Sequence, residues 1–397
     1  MSLRTSKNSK STEKDIFLAL VRLGIGKDAT IPLPNHIDWD EVETLAERQG
    51  MLGVVYDGII RLAEIAENAD ILPLTVKLRW VGKVIQEYEH RYVAYKKAVA
   101  DLAVWYHAHG YRMMVLKGLA CGVNWPKPEH RPFGDIDIYL FGKCKEADEA
   151  LEEWFKSSKV QGFKVDNSHH HHTVFQWQGF TVENHYDFLN VHHHKSNVEL
   201  EAILKSLAHT DNTCFRHTDS KDNTDICLPS ANFNALYLWR HAMSHFASTG
   251  MNLRQLLDWA FFVEKQGKEV DWEWLQGVLK KYGMDKLFDV MNVICVEDLG
   301  FNLVESLGFS VRSSSSRAEA ESQLKSVEFR ELKERVLKEI FTREFDEDTP
   351  KRVWKRVPFK YRRWKANAWK HELCFNDSMS SAFWSGVKNH LMKPASI

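Results

Sequence analysis

The sequence predicts an α+β chain: a small mixed sheet with its own helices, set between helical regions at both ends. Three observations predict it. Apolar residues before 110 and after 229 recur at three- and four-residue steps, the helical spacing. Between them the pattern changes to short alternating runs separated by Gly, Pro and Asn. One of those runs, Asp135-Ile136-Asp137-Ile138-Tyr139, sets carboxylates on alternate positions of an apolar segment. In a strand, Asp135 and Asp137 share one face while Ile136 and Ile138 bury on the other. The organisation expected is a disordered 1–14, a helical 15–110, an α/β core at 111–228 and a helical 229–397.

The elements follow in order. Asp38-Trp39-Asp40-Glu41 is a capping box, with Asp38 as N-cap and Glu41 at the third helical position. A longer helix is spaced by Ile85, Tyr88, Tyr92, Tyr95, Val99, Leu102 and Tyr106 and stops at Gly110. Residues 112–116 form a short strand. A helix runs from Gly118 to about Trp125, where Pro126 and Pro128 end it. Residues 135–140 form a strand and 146–155 an amphipathic helix. Strands follow at 163–165, 173–177 and 180–188, the last two turned into a hairpin by Gln178-Gly179. Helical spacing resumes at 231–248, 251–266, 271–282 and 285–299.

Composition bounds the function. The chain has 397 residues, 44% apolar and 12% aromatic, enough for real cores. A net charge of −1 gives no global attraction to nucleic acid or membrane. Six scattered cysteines without a Cys-x-x-Cys pair read as reduced thiols. No apolar run approaches a membrane span, so a cytoplasmic protein is expected. The stretch Lys351 to Lys370 holds nine Lys/Arg and no acid among its aromatics. Nucleic-acid contact and an interfacial helix compete with an internal helix against the acidic segment at 328–339. The last is favoured.

Two adjacent like charges repel, and persist where a cation sits between them. Clustered carboxylate oxygens suit Mg²⁺. Upstream, Val115-Leu116-Lys117-Gly118 reads as a strand-to-helix turn of the kind that receives phosphate. This Leu-Lys-Gly, followed by Arg131-Pro132-Phe133-Gly134-Asp135-Ile136-Asp137, resembles the polymerase-β-like nucleotidyltransferase superfamily, in its bacterial branch of uncharacterised nucleotidyltransferases. The resemblance covers about residues 112–188. It implies a polymerase-β-like core, two Mg²⁺ ions and an NTP, ATP first. It also implies transfer of a nucleoside monophosphate to an acceptor with release of pyrophosphate. The chain departs from the superfamily at the turn, where Lys117-Gly118 stands in place of Gly-Gly or Gly-Ser.

The resemblance assigns Asp135 and Asp137 to metal binding and catalysis. Glu183 is the third carboxylate, with His185 beside it. Asn184 between them replaces the apolar residue of the family's motif, and Asp187 is the alternative third acid. Lys117, Gly118 and Arg131 are the nucleotide-binding candidates. Lys117 could instead be a solvent-facing lysine, and Arg131 could instead pair with Asp135. The acceptor is open: a small molecule, a sugar or a protein, with nucleic acid not favoured and no membrane partner. A non-catalytic nucleotide-binding protein on the same fold is the rival reading. His169 to His172 and His192 to His194 are expected to be polar loops, because alternate side chains of an extended segment diverge. His241 and His245 read as satisfied histidines at a helix–core boundary, and Arg254 with Asp258 as an intrahelical pair.

Overall fold

The structure is a computed structural model describing residues 12–29, 37–65, 72–158, 162–192, 194–210, 226–303, 326–343, 350, 352–382 and 384–385. Residues 1–11, most of the segment expected to be disordered, lie outside it, as does His193. The helices are α1 (Glu13–Gly24), α2 (Trp39–Gln49), α3 (Leu52–Ile65), α4 (Leu74–Lys83), α5 (His90–Ala108) and α6 (Leu119–Gly122). They continue with α7 (Cys144–Ser157), α8 (Ser196–Thr210), α9 (Ala231–Ser248), α10 (Leu253–Gln266), α11 (Trp272–Lys281) and α12 (Asp285–Glu297). Further helices span Val327–Phe341, Val353–Ala366 and Ala368–Cys374. A π-helical turn, Val84–Glu89, joins α4 to α5.

Capping chemistry is where the sequence places it. The Asp38 carboxylate accepts from the backbone N–H of Asp40 and Glu41 at 3.1 Å each, and α2 ends at Gly50 in the left-handed region (φ 65°). The helix at 196–210 is an addition to the expected elements. Its buried Leu200 and Leu204 hold the inner face, while Glu201 accepts from the N–H of Phe188 and Leu189 and so fixes the chain leaving the sheet.

The sheet comprises β1 (Met114–Val115), β2 (Ile136–Tyr139), β3 (His172–Trp177) and β4 (Phe180–His185), in the order β1-β2-β4-β3. β2 runs parallel to β4, and β1 and β3 are antiparallel to their neighbours. Gln178 (φ 48°) and Gly179 (φ 82°) make the two-residue turn between β3 and β4, and both need the left-handed conformation that matches strand twist. The expected strand at 163–165 is absent; that segment pairs only through an isolated bridge, Asp166 to Val174.

Ile136 and Ile138 are buried on one sheet face against Tyr95, Val99, Leu102 and Tyr106 of α5 and Leu151 of α7. The alternation of β2 therefore puts Asp137 on the opposite face. Helices from both ends of the chain share the larger core, where Phe17 of α1 packs edge-on against Phe341. Free buried thiols are found at Cys121, Cys144, Cys295 and Cys374. Cys227 is disulfide-bonded, which departs from the expectation of six reduced thiols.

Candidate active site

Strand register brings the acids together. Asp137 on β2 is directly opposite Glu183 on β4, and Tyr139 is opposite His185. Asp135 stands one residue before β2, exposed, while Asp137 is buried. Glu183 keeps 25% of its side chain in solvent. The three carboxylates form a graded set, from a buried interior member to an exposed one. The backbone carbonyl of Asp135 is held by the Tyr95 hydroxyl at 3.1 Å.

Two basic side chains answer these acids. Lys117 Nζ is 2.6 Å from Asp137 Oδ1. His185 Nε2 is 3.2 Å from the same oxygen and 3.6 Å from Glu183 Oε2, and its Nδ1 meets the Asp187 carbonyl at 3.2 Å. Burial works against charge at Lys117, but the neighbouring Asp137 outweighs it and raises the ammonium pKa. Burial alone would raise the pKa of Asp137; Lys117 and His185 reverse this and hold it well below the carboxylate range. His185 is raised, since its carboxylate partners outweigh burial. Glu183 is lowered in the same way by His185 and Lys117. Asp135 is raised, by burial first and then by the charges of Glu183 and Asp137.

The alternative third acid, Asp187, is held in an ion pair with Lys205 of α8. Asn184 points away from this site. Fully buried, it donates to Asp148 Oδ1 on α7 at 2.8 Å, and Thr173 Oγ1 donates to Asp148 Oδ2 at 2.7 Å. A polar partner below the sheet thus accounts for the asparagine where an apolar residue was expected.

Gly118 sits at φ 52° as the cap of α6. A Cβ there would overlap the Tyr95 hydroxyl, so the glycine is required by Tyr95 and by the left-handed backbone. Because α6 has only four residues, its dipole is small.

Arg131 is ion-paired with Asp258 rather than with Asp135. Its Nε and Nη2 fork onto Asp258 Oδ1 and Oδ2 at 2.7 and 2.9 Å, and Trp125 Nε1 adds a third bond to Oδ1 at 2.8 Å. The intrahelical pairing expected of Asp258 is therefore preempted. Arg254, one turn earlier, has a buried Nε with no hydrogen-bond partner. Burial and then the charge of Arg131 lower its pKa.

Residues on α9 also face this charge. His241 and His245 are in ring contact at 4.5 Å. The pKa of His245 falls to about 4, through burial and then the charge of Lys117, and His241 is pushed down by the same two causes. The buried Tyr237 hydroxyl, four residues before His241, has no hydrogen-bond partner. The i, i+4, i+8 spacing of Tyr237, His241 and His245 was the available sign that they share one helix face.

The donor set suits a divalent cation. Asp137, Glu183 and His185 each offer a ligand atom, all within 4.8 Å of one another. Three carboxylates, counting Asp135, stand against one lysine and one histidine, leaving negative charge to be met. Elsewhere, Lys370 is ion-paired with Glu339 of the acidic helix, and Arg335 of that helix lies over the Trp369 ring at 3.9 Å. No described helix is long and apolar enough to cross a membrane.

A family model described as uncharacterised nucleotidyltransferase matches residues 35–300. No curated protein and no solved structure matches the chain.

Proposed function

This chain belongs to the uncharacterised nucleotidyltransferase family, and from that premise we propose a Mg²⁺-dependent transfer of a nucleoside monophosphate from an NTP, ATP first, to a hydroxyl-bearing acceptor, with release of pyrophosphate. The observation that carries this reading is the register pairing of Asp137 with Glu183 beside the exposed Asp135. A bound divalent cation would supply charge neutralisation at the transferring phosphoryl group. The chain's own residues do the rest. Asp137, kept ionised by Lys117 and His185, and Glu183, kept ionised by His185, present fixed negative charge. Asp135 completes the set from the solvent side. Glu183 would accept the proton of the acceptor hydroxyl as that oxygen bonds to the α-phosphorus and the bond to pyrophosphate breaks. His185, anchored through Nδ1 on the Asp187 carbonyl, orients both acids. Lys117 and Arg254, whose buried Nε has no hydrogen-bond partner, are the cations offered to the triphosphate. Arg131, saturated by Asp258, positions the loop before β2 instead of binding phosphate.

The acceptor class remains a small molecule, a sugar or a protein. The Lys117–Asp137 pair is the one observation favouring the rival, a non-catalytic nucleotide binder, since the lysine occupies an oxygen a metal would use. Incubation with each NTP and Mg²⁺ or Mn²⁺, read by pyrophosphate release and self-labelling, separates the two. Release that disappears in Asp137→Asn and Glu183→Gln supports the enzyme. A nucleotide-dependent thermal shift without release, across candidate acceptors, supports the binder.

A further inference from the structure

We propose that His171, His172 and His185 form a metal site of their own, for a borderline divalent cation such as Zn²⁺, beside the carboxylates and sharing His185 with them. Such a site would exist whether or not the chain transfers nucleotides. His172 opens β3 and is directly opposite His185 on β4. Opposed residues of an antiparallel pair project to the same face, and their rings are 5.2 Å apart. In a continuous strand His171 would point away. It lies before β3, in a bend, and its carbonyl accepts from the N–H of both Tyr186 and Asp187. That bend turns its ring back, 4.3 Å from His172 and 5.6 Å from His185. The divergence expected of consecutive extended histidines therefore fails here, because the run is bent where it meets the sheet.

The nitrogen atoms converge. One ring nitrogen from each of the three lies within 4.8 Å of the others. The Nδ1 atoms of His171 and His172 are buried and have no hydrogen-bond partner, an arrangement that a ligand would satisfy. His172 Nε2 faces Glu183 Oε1 at 3.9 Å, so a carboxylate stands behind the imidazole as it does behind many metal-binding histidines. His169 stacks on His172 at 4.7 Å and limits its rotation. Three imidazoles select Zn²⁺ or Co²⁺ over Mg²⁺, which takes oxygen ligands. A three-histidine set also leaves a tetrahedral position for water or substrate.

The full chain, stripped with a chelator and titrated with Zn²⁺ in excess Mg²⁺, should take up a single tight equivalent. His171→Ala and His172→Ala should each weaken that uptake about 100-fold, while Asp135→Asn should leave it unchanged. Unaltered Zn²⁺ affinity in both histidine variants would overturn the site. Should those variants fail to fold, X-ray absorption of the Zn²⁺-loaded wild type decides: three imidazoles in the first shell support it, and fewer than three removes it. A wild type that takes up no Zn²⁺ removes it as well.

Discussion

Two buried ion pairs flank the sheet, and they differ in what surrounds them. Arg131–Asp258 is closed: both carboxylate oxygens are engaged, with Trp125 as a third donor, and no second acid intrudes. Lys117–Asp137 is open. Lysine and histidine both fall on Asp137 Oδ1, and two further carboxylates crowd the pair. A closed pair fixes the chain. On the proposed reading, an open pair with surplus charge of one sign is where a ligand would bind. Sequence reading weighed both cations as phosphate contacts, and the surroundings separate them.

The largest effect should come from opening the closed pair. Asp258→Asn leaves the buried Arg131 guanidinium without its countercharge and should cost about 3–5 kcal/mol in denaturant unfolding. A loss below about 1 kcal/mol would mean that water reaches Arg131 and that the pair is no staple.

Next comes the open pair. Asp137→Asn should lower any nucleotide transfer by about 100- to 1000-fold. It should also destabilise the metal-free protein, by about 2–3 kcal/mol, because Lys117 loses its partner. Simple repulsion between adjacent acids, as read from the sequence, predicts the opposite sign. The structure changes the expectation, since Lys117 already pairs with Asp137. The pH dependence follows. The folded pKa of Asp137 is depressed, so its stabilisation is present above the unfolded value of about 4 and is lost as pH falls below that toward the folded one. Wild type and variant should converge in stability at acid pH. A gap that persists there would assign the loss to packing.

A smaller effect should come from the turn carrying Lys117. Gly118→Ala forces a left-handed alanine into the Tyr95 hydroxyl and should cost about 1–3 kcal/mol. Adding Tyr95→Phe should recover part of that cost, and additive losses in the double variant would show that the ring does not confine the glycine.

Much of this was legible beforehand, for reasons particular residues make clear. Period-two alternation in β2 places Asp137 opposite Ile136 and Ile138 in any register, and the Gln178-Gly179 turn announces the hairpin. Helical spacing after 229 locates α9 to α12 because their apolar faces are continuous. What escaped depends on contacts distant in sequence. The bidentate partner of Arg131 lies 127 residues away. α8 was missed because its buried face, at helical spacing, is interrupted by the polar Asn197 and Glu201 beside Leu200 and Leu204. The His171 ring turns only because its carbonyl is bound by β4's exit, a fact no local pattern encodes.

The smallest effect should be Asp135→Asn, and its sign is the sharpest check on the open pair. Asp135 is exposed, yet burial of part of its carboxylate and the charges of Glu183 and Asp137 raise its pKa. A raised folded pKa means the folded chain binds the proton more tightly than the unfolded one. Its ionisation therefore costs stability as pH rises through that window, above about 4. Removing the charge should stabilise the metal-free protein at neutral pH, by no more than about 0.5 kcal/mol after solvent screening, and the gain should vanish near pH 4. Denaturant midpoints at the two pH values measure it. With a divalent cation present the ordering should reverse, the wild type gaining by mass action what the variant cannot. If Asp135→Asn instead destabilised the metal-free protein at neutral pH, this carboxylate would belong with Asp258 as part of the scaffold, and the surplus of negative charge that defines the open pair would be one acid smaller.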